Sequence, residues 1–520
     1  MTSNWYIPER KGARTVSTLP ASNLQASATG TARRLRVLFT ASEADPLIKV
    51  GGLGDVTGTL PLTLRKLRPE QTGGLELDVR LVLPFHSAIA PRVKDIQPVA
   101  SLAVPHPKGS VAAQAFQTFV GDLPVYLIAG DPIAPDAPVY SLDTRKDGEK
   151  YTFFSLAVLE LARKLDWRPD ILHANDWHTA LAVYTLALRR GEDRFFALTR
   201  SIFTVHNLPF MGAGIDAAMQ EYGIPPLEDE RLPAWGGYQP LPMALATADH
   251  ITTVSPTYAR EILTPEFGCG LQDFLRSRAE SISGILNGLD EKIWDPSTDA
   301  ALAANFDAAS LDARTANKQA LIREFNLPAN LDLPLLILIS RMDWQKGVDL
   351  AVDGLRQIAG LPWQAILLGS GDPTLEASAR QLEAEFPYRV RAVIRFDSGL
   401  ARRMYAGGDM LLMPSRYEPC GLAQMIAMRY GCVPVARATG GLRDTVKDTQ
   451  FPETSTGFLF EDPTPEALAA ALRRAIAAFQ DRQAWRTRQV CGMQQDFSWE
   501  RSALAYAQLY HKLLRQPAET

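Results

Sequence analysis

A chain of 520 residues with 46% apolar and 22% charged side chains has room for two to four domains with large buried cores. Its 54 basic and 58 acidic residues leave a formal charge of -4, so there is no positive field to hold a nucleic-acid backbone, and no apolar run reaches the roughly 18 to 20 residues that a bilayer crossing needs. The four cysteines, Cys269, Cys420, Cys432 and Cys491, lie far apart with no C-x-x-C pair, which argues against a zinc ribbon or a disulfide framework and for a reducing, cytoplasmic setting.

In chain order, the first 32 residues are rich in Ser, Thr, Ala and Arg and carry one acid, Glu9; they read as a flexible tail, and the same bias marks plastid transit peptides. Regular structure is expected to begin with the β-rich run Leu35 to Ala41, which feeds a glycine-rich turn and a helical pattern from Asp55 to Leu67. Apolar strands follow at Asp78 to Leu83, Pro124 to Ala129, Asp170 to His173, Ser201 to Val205 and His250 to Val254, with helical stretches such as Tyr151 to Leu165 between them. That alternation predicts a parallel sheet covered by helices. The turn formers of Asn287 to Pro296 mark a connector and hinge. A second series at Leu335 to Ser340, Ala365 to Leu368, Val390 to Ile394, Met410 to Met413 and Val433 to Ala436 predicts a second sheet. Ser498 suits a helix N-cap, and Ala503, Leu504, Ala507, Leu509, Tyr510, Leu513 and Leu514 give the last helix an apolar face that has to dock. The fold class is therefore α/β: two doubly wound, Rossmann-like domains over residues 33–290 and 291–497, with a terminal helix over 498–520. The carboxyl ends of such strands open on a cleft, the usual binding position.

Chemistry-bearing residues fall at the ends of predicted strands. In Lys49-Val-Gly-Gly-Leu-Gly54, Gly51 and Gly52 allow close backbone approach, the following helix offers free N–H groups to an anion, and Lys49 adds a point charge; a plain glycine turn packing helix on strand is the alternative. Ser340-Arg-Met-Asp-Trp-Gln-Lys-Gly347 supplies Arg341 and Lys346, which either neutralise a diphosphate without a metal or simply solvate a loop. In Ser415-Arg-Tyr-Glu-Pro-Cys-Gly-Leu422, Pro419 suits a first helical position and would turn the amides of Cys420, Gly421 and Leu422 outward, while Glu418 is either half of a capping box with Ser415 or a hydrogen-bonding group for a sugar. His173-Ala-Asn-Asp-Trp-His178 and Thr204-Val-His-Asn207 place His173, Asp176, His178 and His206 where they bind a sugar, ligate a metal or, for His173, satisfy a core.

Together these segments resemble the bacterial glycogen synthase and plant starch synthase family, in order from about Arg36 to about Leu514; Val254-Ser-Pro-Thr-Tyr258, Leu286-Asn-Gly288 and Thr439-Gly-Gly-Leu442 belong to the same series. The resemblance implies the GT-B fold, a first domain on the acceptor side, a second on the nucleotide-sugar side, and a last helix that returns to the first. It implies retaining transfer of glucose from ADP-glucose to an α-1,4-glucan, with no cofactor and no metal. Arg341 and Lys346 would hold the distal phosphates and Glu418 the donor glucose. Asp176, His206 and Asn287 would border the sugar and acceptor end, Lys49 would approach from the opposite domain, and Phe396 would stack on the adenine.

Three positions depart from the family pattern: Ala423 stands where Thr or Ser is frequent, Phe396 where Tyr is expected, and Lys150-Tyr151 where Arg-Phe is common. None removes a charge from the expected centre. The rivals are a GT-B transferase or phosphorylase for another sugar, and an inactive glucan-binding scaffold.

Overall fold

The structure, a computed structural model, describes residues 33–515; the tail expectation lies outside them. Two sheets organise the chain. The first contains β1 (Arg33–Thr40), β2 (Leu75–Pro84), β3 (Gln97–His106), β4 (Gly109–Val120), β5 (Leu123–Ala129), β6 (Ile171–Asn175), β7 (Arg200–Val205), β8 (His250–Thr253) and β9 (Ile282–Gly284), in the order β3-β4-β5-β2-β1-β6-β7-β8-β9. The second contains β10 (Leu335–Ile339), β11 (Gln364–Gly369), β12 (Val390–Ile394), β13 (Met410–Met413), β14 (Val433–Arg437) and β15 (Phe458–Phe460), in the order β12-β11-β10-β13-β14-β15.

The second sheet is wholly parallel, as expected, but the first is mixed. β3 and β4 form an antiparallel hairpin that extends the sheet beyond β5, which corrects the expectation of a parallel sheet. The central strands announce themselves because both faces are buried, Val37 pairing with Val79 on one side and Ile171 on the other. β3 alternates exposed and buried residues, the mark of a half-solvated antiparallel strand, and its Ala, Ser and Gln content carries little hydrophobic signal.

The last helix, Trp499–Arg515, does return to the first sheet, packing on the helix Gly52–Lys66. Of the apolar face read from the sequence, Ala503, Ala507, Leu509, Tyr510 and Leu513 are buried, Leu504 and Leu514 partly so, and Tyr506 joins them in the core. A polar thread runs through this contact: the Tyr510 hydroxyl meets His173 Nδ1 at 2.7 Å, His173 Nε2 meets Thr204 Oγ1 at 2.7 Å, and Thr204 meets Thr252 Oγ1 at 2.6 Å. His173 is thus a core histidine, its pKa pushed down to about 3 by burial and so neutral, with both ring nitrogens engaged. The two crossings between the sheets run side by side, with the Leu289 amide donating to the Phe497 carbonyl at 2.7 Å. Gly288 is required here, because a Cβ would lie 2.5 Å from Trp499 Cα.

Removing the Tyr510 hydroxyl leaves a buried imidazole nitrogen without its partner. Tyr510→Phe is expected to cost about 1 to 3 kcal/mol in urea unfolding, with little change in the folded circular dichroism spectrum; an unchanged unfolding midpoint would show that the thread contributes nothing.

Candidate functional site

Each sheet has one place where successive strands turn to opposite sides: between β1 and β6 in the first, between β10 and β13 in the second. Loops leaving the carboxyl ends of such a strand pair splay apart and leave a crevice. The residues singled out from the sequence stand there, Lys49 and Gly51 after β1, Asp176 after β6, Arg341 and Lys346 after β10, and Glu418 after β13.

In the second sheet, Lys346 and Glu418 meet directly. Lys346 Nζ lies 2.6 Å from Glu418 Oε2, which also accepts the Ser415 hydroxyl at 3.0 Å, and the glutamate is only 5% exposed. No helix starts at Ser415, so this bond is not a capping box. Backbone packing places the pair. Gly347, at φ +65°, lets the Lys346 turn fold over the Pro414 carbonyl, where a Cβ would come within 2.2 Å. Gly440 and Gly441 lie under the Glu418 and Cys420 carbonyls, each leaving 2.0 Å for a Cβ, which is why the Thr439-Gly-Gly-Leu segment needs two glycines. Arg416 fastens the loop by donating to the Trp344 carbonyl at 2.8 Å and to both oxygens of Asp349 at 2.9 and 2.6 Å. Arg341 is more open, with its guanidinium 3.1 Å from Asp343 Oδ2.

The expected helix start at Pro419 is corrected. The helix is Ala423–Arg429 with Leu422 at its N-cap, and Gly421 sits at φ +74°. The Cys420, Gly421 and Leu422 amides therefore belong to the loop before the helix rather than to its first turn. Phe396, 88% exposed, lies just past the end of β12, two strands or about 10 Å from β10.

The glycine loop after β1 holds an anion, but one the chain supplies itself. Glu43, 1% exposed, accepts the Val50 amide, the Gly51 amide at 3.1 Å and the Tyr140 hydroxyl at 2.8 Å. Gly51 thus has its amide occupied, whereas Gly52, the first residue of its helix, is exposed, with open space where a Cβ would be. Lys49 Nζ is 2.5 Å from Asp55 Oδ1. The sequence pattern pointed to an anion at this loop; the partner, six residues before Lys49, was missed because a glutamate just past a strand carries no motif.

Asp176 occupies the N-cap position of the helix Trp177–Arg189 at φ +54°, a region where a non-glycine residue is strained, yet its carboxylate does not cap that helix. It turns to the next strand end and accepts the His206 amide at 2.8 Å, and the Asn207 amide as well. Burial raises its pKa to about 7, a neighbouring Glu43 charge adds to the rise, and the two amides oppose it. His206 Nε2 lies 3.0 Å from Asn175 Oδ1; since Asn175 Nδ2 donates to the Thr40 carbonyl at 3.0 Å, that histidine nitrogen must be the donor. Burial lowers the His206 pKa to about 3, so the ring is neutral.

The two halves touch. Ser255 Oγ, after β8, donates to the Pro419 carbonyl at 2.6 Å, one residue from Glu418, and Asn207 and Asn287 lie beside the Tyr417 hydroxyl and the Cys420 thiol. Asp176, His206, Asn287, Lys346 and Glu418 therefore belong to one continuous neighbourhood. Arg341 joins it through Asp343, which also accepts the Lys346 amide, whereas Phe396 and Lys49 have no described contact that joins them to it, and Tyr417 was not foreseen.

The raised Asp176 pKa has a sign. The folded state holds this proton more tightly than the unfolded chain, so its contribution favours the fold at low pH and is lost as pH rises from the ordinary 3.8 to about 7. Asp176→Asn, which mimics the protonated group, is expected to gain stability relative to the parent between pH 5 and pH 8 in urea titrations; a pH-independent difference would mean that Asp176 is ionised throughout.

Comparisons with known proteins identify relatives of the whole chain. Residues 36–277 match the family described as starch synthase catalytic domain, and residues 322–489 match glycosyl transferases group 1. The chain is 41% identical to the glycogen synthase of Geotalea daltonii over 92% of its own length and 99% of the relative's, and 43% identical to that of Anaeromyxobacter dehalogenans over 92% and 100%. Among solved structures it is similar to the catalytic domain of starch synthase IV from Arabidopsis thaliana bound to ADP and acarbose, with a TM-score of 0.80, 32% identity, and coverage of 93% of this chain and 100% of that one. A sucrose-phosphate synthase from Thermosynechococcus elongatus, at 21% identity and a TM-score of 0.56 over 92% of this chain and 99% of its own, shares the fold.

Proposed function

The chain belongs to the glycogen and starch synthase family and has its GT-B fold, and from that premise we propose that it transfers glucose from ADP-glucose to the non-reducing end of an α-1,4-glucan with retention of configuration. The observation that carries this reading is the Lys346–Glu418 pair, part-buried at the carboxyl ends of β10 and β13, next to the Ser255–Pro419 bond that ties this loop to the sheet carrying His206 and Asp176. A site with cations and a carboxylate on one side and neutral or near-neutral hydrogen-bonding groups on the other suits an anionic donor facing an uncharged glucan.

Residues 33–290 form the acceptor-side domain on this reading, residues 291–497 the donor-side domain, and the connector from Asn287 is the hinge. Arg341 and Lys346 bind the diphosphate. As the anomeric bond loosens, positive charge grows on the sugar and negative charge on the leaving phosphate, and the two cations stabilise the latter by about 3 to 4 kcal/mol per group. The acceptor 4-hydroxyl enters on the same face and passes its proton to the departing phosphate, so configuration is kept without a covalent enzyme intermediate. Glu418 has Oε2 committed to Lys346 and Ser415, which leaves Oε1 for a donor hydroxyl. Asp176 and His206 orient the sugar and acceptor, Lys49 and Gly52 approach from the first domain, and Phe396 stacks on the base, as the family resemblance implies. Among the described residues no helix is long and apolar enough to cross a membrane; the work on the polymer is placed in the cytoplasm as part of the same proposal.

Purified protein given ADP-glucose and glycogen is expected to release ADP in proportion to glucan elongation, and Arg341→Ala or Lys346→Ala should lower kcat about 100- to 1000-fold. Release of UDP from UDP-glucose instead would overturn the donor. Near-parental kcat with only a changed KM would remove the cations from the chemical step.

A further inference from the structure

Arg341 leaves the end of β10 with 70% of its side chain exposed, and Asp343 is the carboxylate bound to it, Oδ2 standing 3.1 Å from Arg341 Nη1. The other oxygen of that carboxylate, Oδ1, accepts the Lys346 amide at 3.0 Å, and the Asp343 carbonyl accepts it at 3.2 Å. One aspartate therefore straddles both cations assigned to the diphosphate, fixing the turn that carries Lys346 while engaging the guanidinium. The phenol of Tyr417 lies close enough to feel both Asp343 and Arg341, which puts the ion pair on the crevice side of the loop. Nor is the loop free to carry Asp343 away, since Arg416 holds the next residue by the Trp344 carbonyl and its guanidinium lies 4.8 Å from the Trp344 ring centre.

A guanidinium fork presents the same donors to a carboxylate and to a phosphate. A diphosphate that enters must displace or share Asp343, and once it is seated this carboxylate becomes an anion facing an anion. We propose that Asp343 is a positioning residue that presents Arg341 to the donor and competes for it after transfer, so that the product nucleoside diphosphate is released rather than retained. The inference rests on the nucleotide-sugar reading of the site. Lys346 keeps its own counter-charge in Glu418, so Arg341 is the cation on which competition by Asp343 acts.

Asp343→Asn keeps an oxygen for the Lys346 amide and removes the charge, which makes it the variant of choice. By calorimetry it should bind ADP about three- to tenfold more tightly than the parent, the range expected for losing one part-exposed charge beside an anion, whereas AMP, which lacks the distal phosphate, should change by less than about twofold. The gain for ADP should vanish in an Arg341→Ala background, and ADP dissociation in stopped flow should slow in the single variant. Unchanged or weaker ADP binding by Asp343→Asn would overturn the proposal, as would an equal gain with Arg341 absent. If Arg341→Ala by itself leaves ADP affinity unaltered, the nucleotide-sugar reading of this site falls. A loss on Arg341→Ala with no gain on Asp343→Asn refutes only the competition.

Discussion

A carboxylate removed from water has to be paired, and Glu418, 5% exposed, is the group around which the second sheet's side of the crevice is arranged. Its partner Lys346 comes from a different strand end, so the two loops must be brought within hydrogen-bond reach and kept there. Glycine does this by absence: at Gly347, Gly440 and Gly441 backbone carbonyls pass where a Cβ would stand. Buried ion pairs are weak stabilisers, and apolar residues of similar volume would pack as well at less desolvation cost. A pair held at the carboxyl ends of strands on either side of a switch point is better accounted for by what it binds than by stability.

The same logic extends to the contact between the halves. The short helices Pro256–Glu261 and Gly440–Thr445 exchange carboxylates: Asp444 accepts the Thr257 amide and hydroxyl, each at 2.7 Å, and Glu261 accepts the Gly440 amide at 3.0 Å and the Thr439 hydroxyl at 2.9 Å. Each carboxylate satisfies a first-turn amide of the other helix, beside the cap that Ser255 gives the Tyr258 amide. Because Gly440 also supports the Glu418 carbonyl, the Glu418 carboxylate and the contact between the halves share one backbone segment. Orientation of the halves and placement of Glu418 are thus coupled through a few ångströms of chain.

Strands buried on both faces were legible in the sequence almost to the residue, Leu335–Ile339 and Met410–Met413 among them, because continuous apolar runs bounded by turn formers have few other readings. The terminal helix was legible through its apolar stripe. The hairpin of β3 and β4 was not, since half of each strand faces water. Nor was the start of the helix at Ala423: Pro419 fits a first helical position, but the αL turn at Gly421 delays the helix by four residues, and that turn is set by the Gly440-Gly441 backbone some twenty residues away in sequence. Pair chemistry is the general blind spot. Strand-end motifs named Lys346, Glu418, Asp176 and His206, but only tertiary packing shows that His206 donates through Nε2, that Asp176 serves the neighbouring strand rather than its own helix, or that Tyr417 reaches Asn207.

Glu43 carries the consequence furthest. A glycine loop before a helix is a ready seat for phosphate, and both domains have such loops at their switch points. In the first domain the seat is filled from within, the Glu43 carboxylate accepting the Val50 and Gly51 amides, and Lys49 is already paired with Asp55. A diphosphate placed against that loop would therefore meet occupied amides and a nearby negative charge. In the second domain Arg341 is exposed and its counter-charge is a part-exposed aspartate that a ligand can displace. On the proposed function the anionic donor sits on this side of the cleft, while the other side offers Asp176 and His206, a carboxyl whose pKa is raised to about 7 and an uncharged imidazole. A transferase needs that asymmetry: if both walls bound phosphate equally well, the nucleotide would have no preferred side and the acceptor no wall of its own.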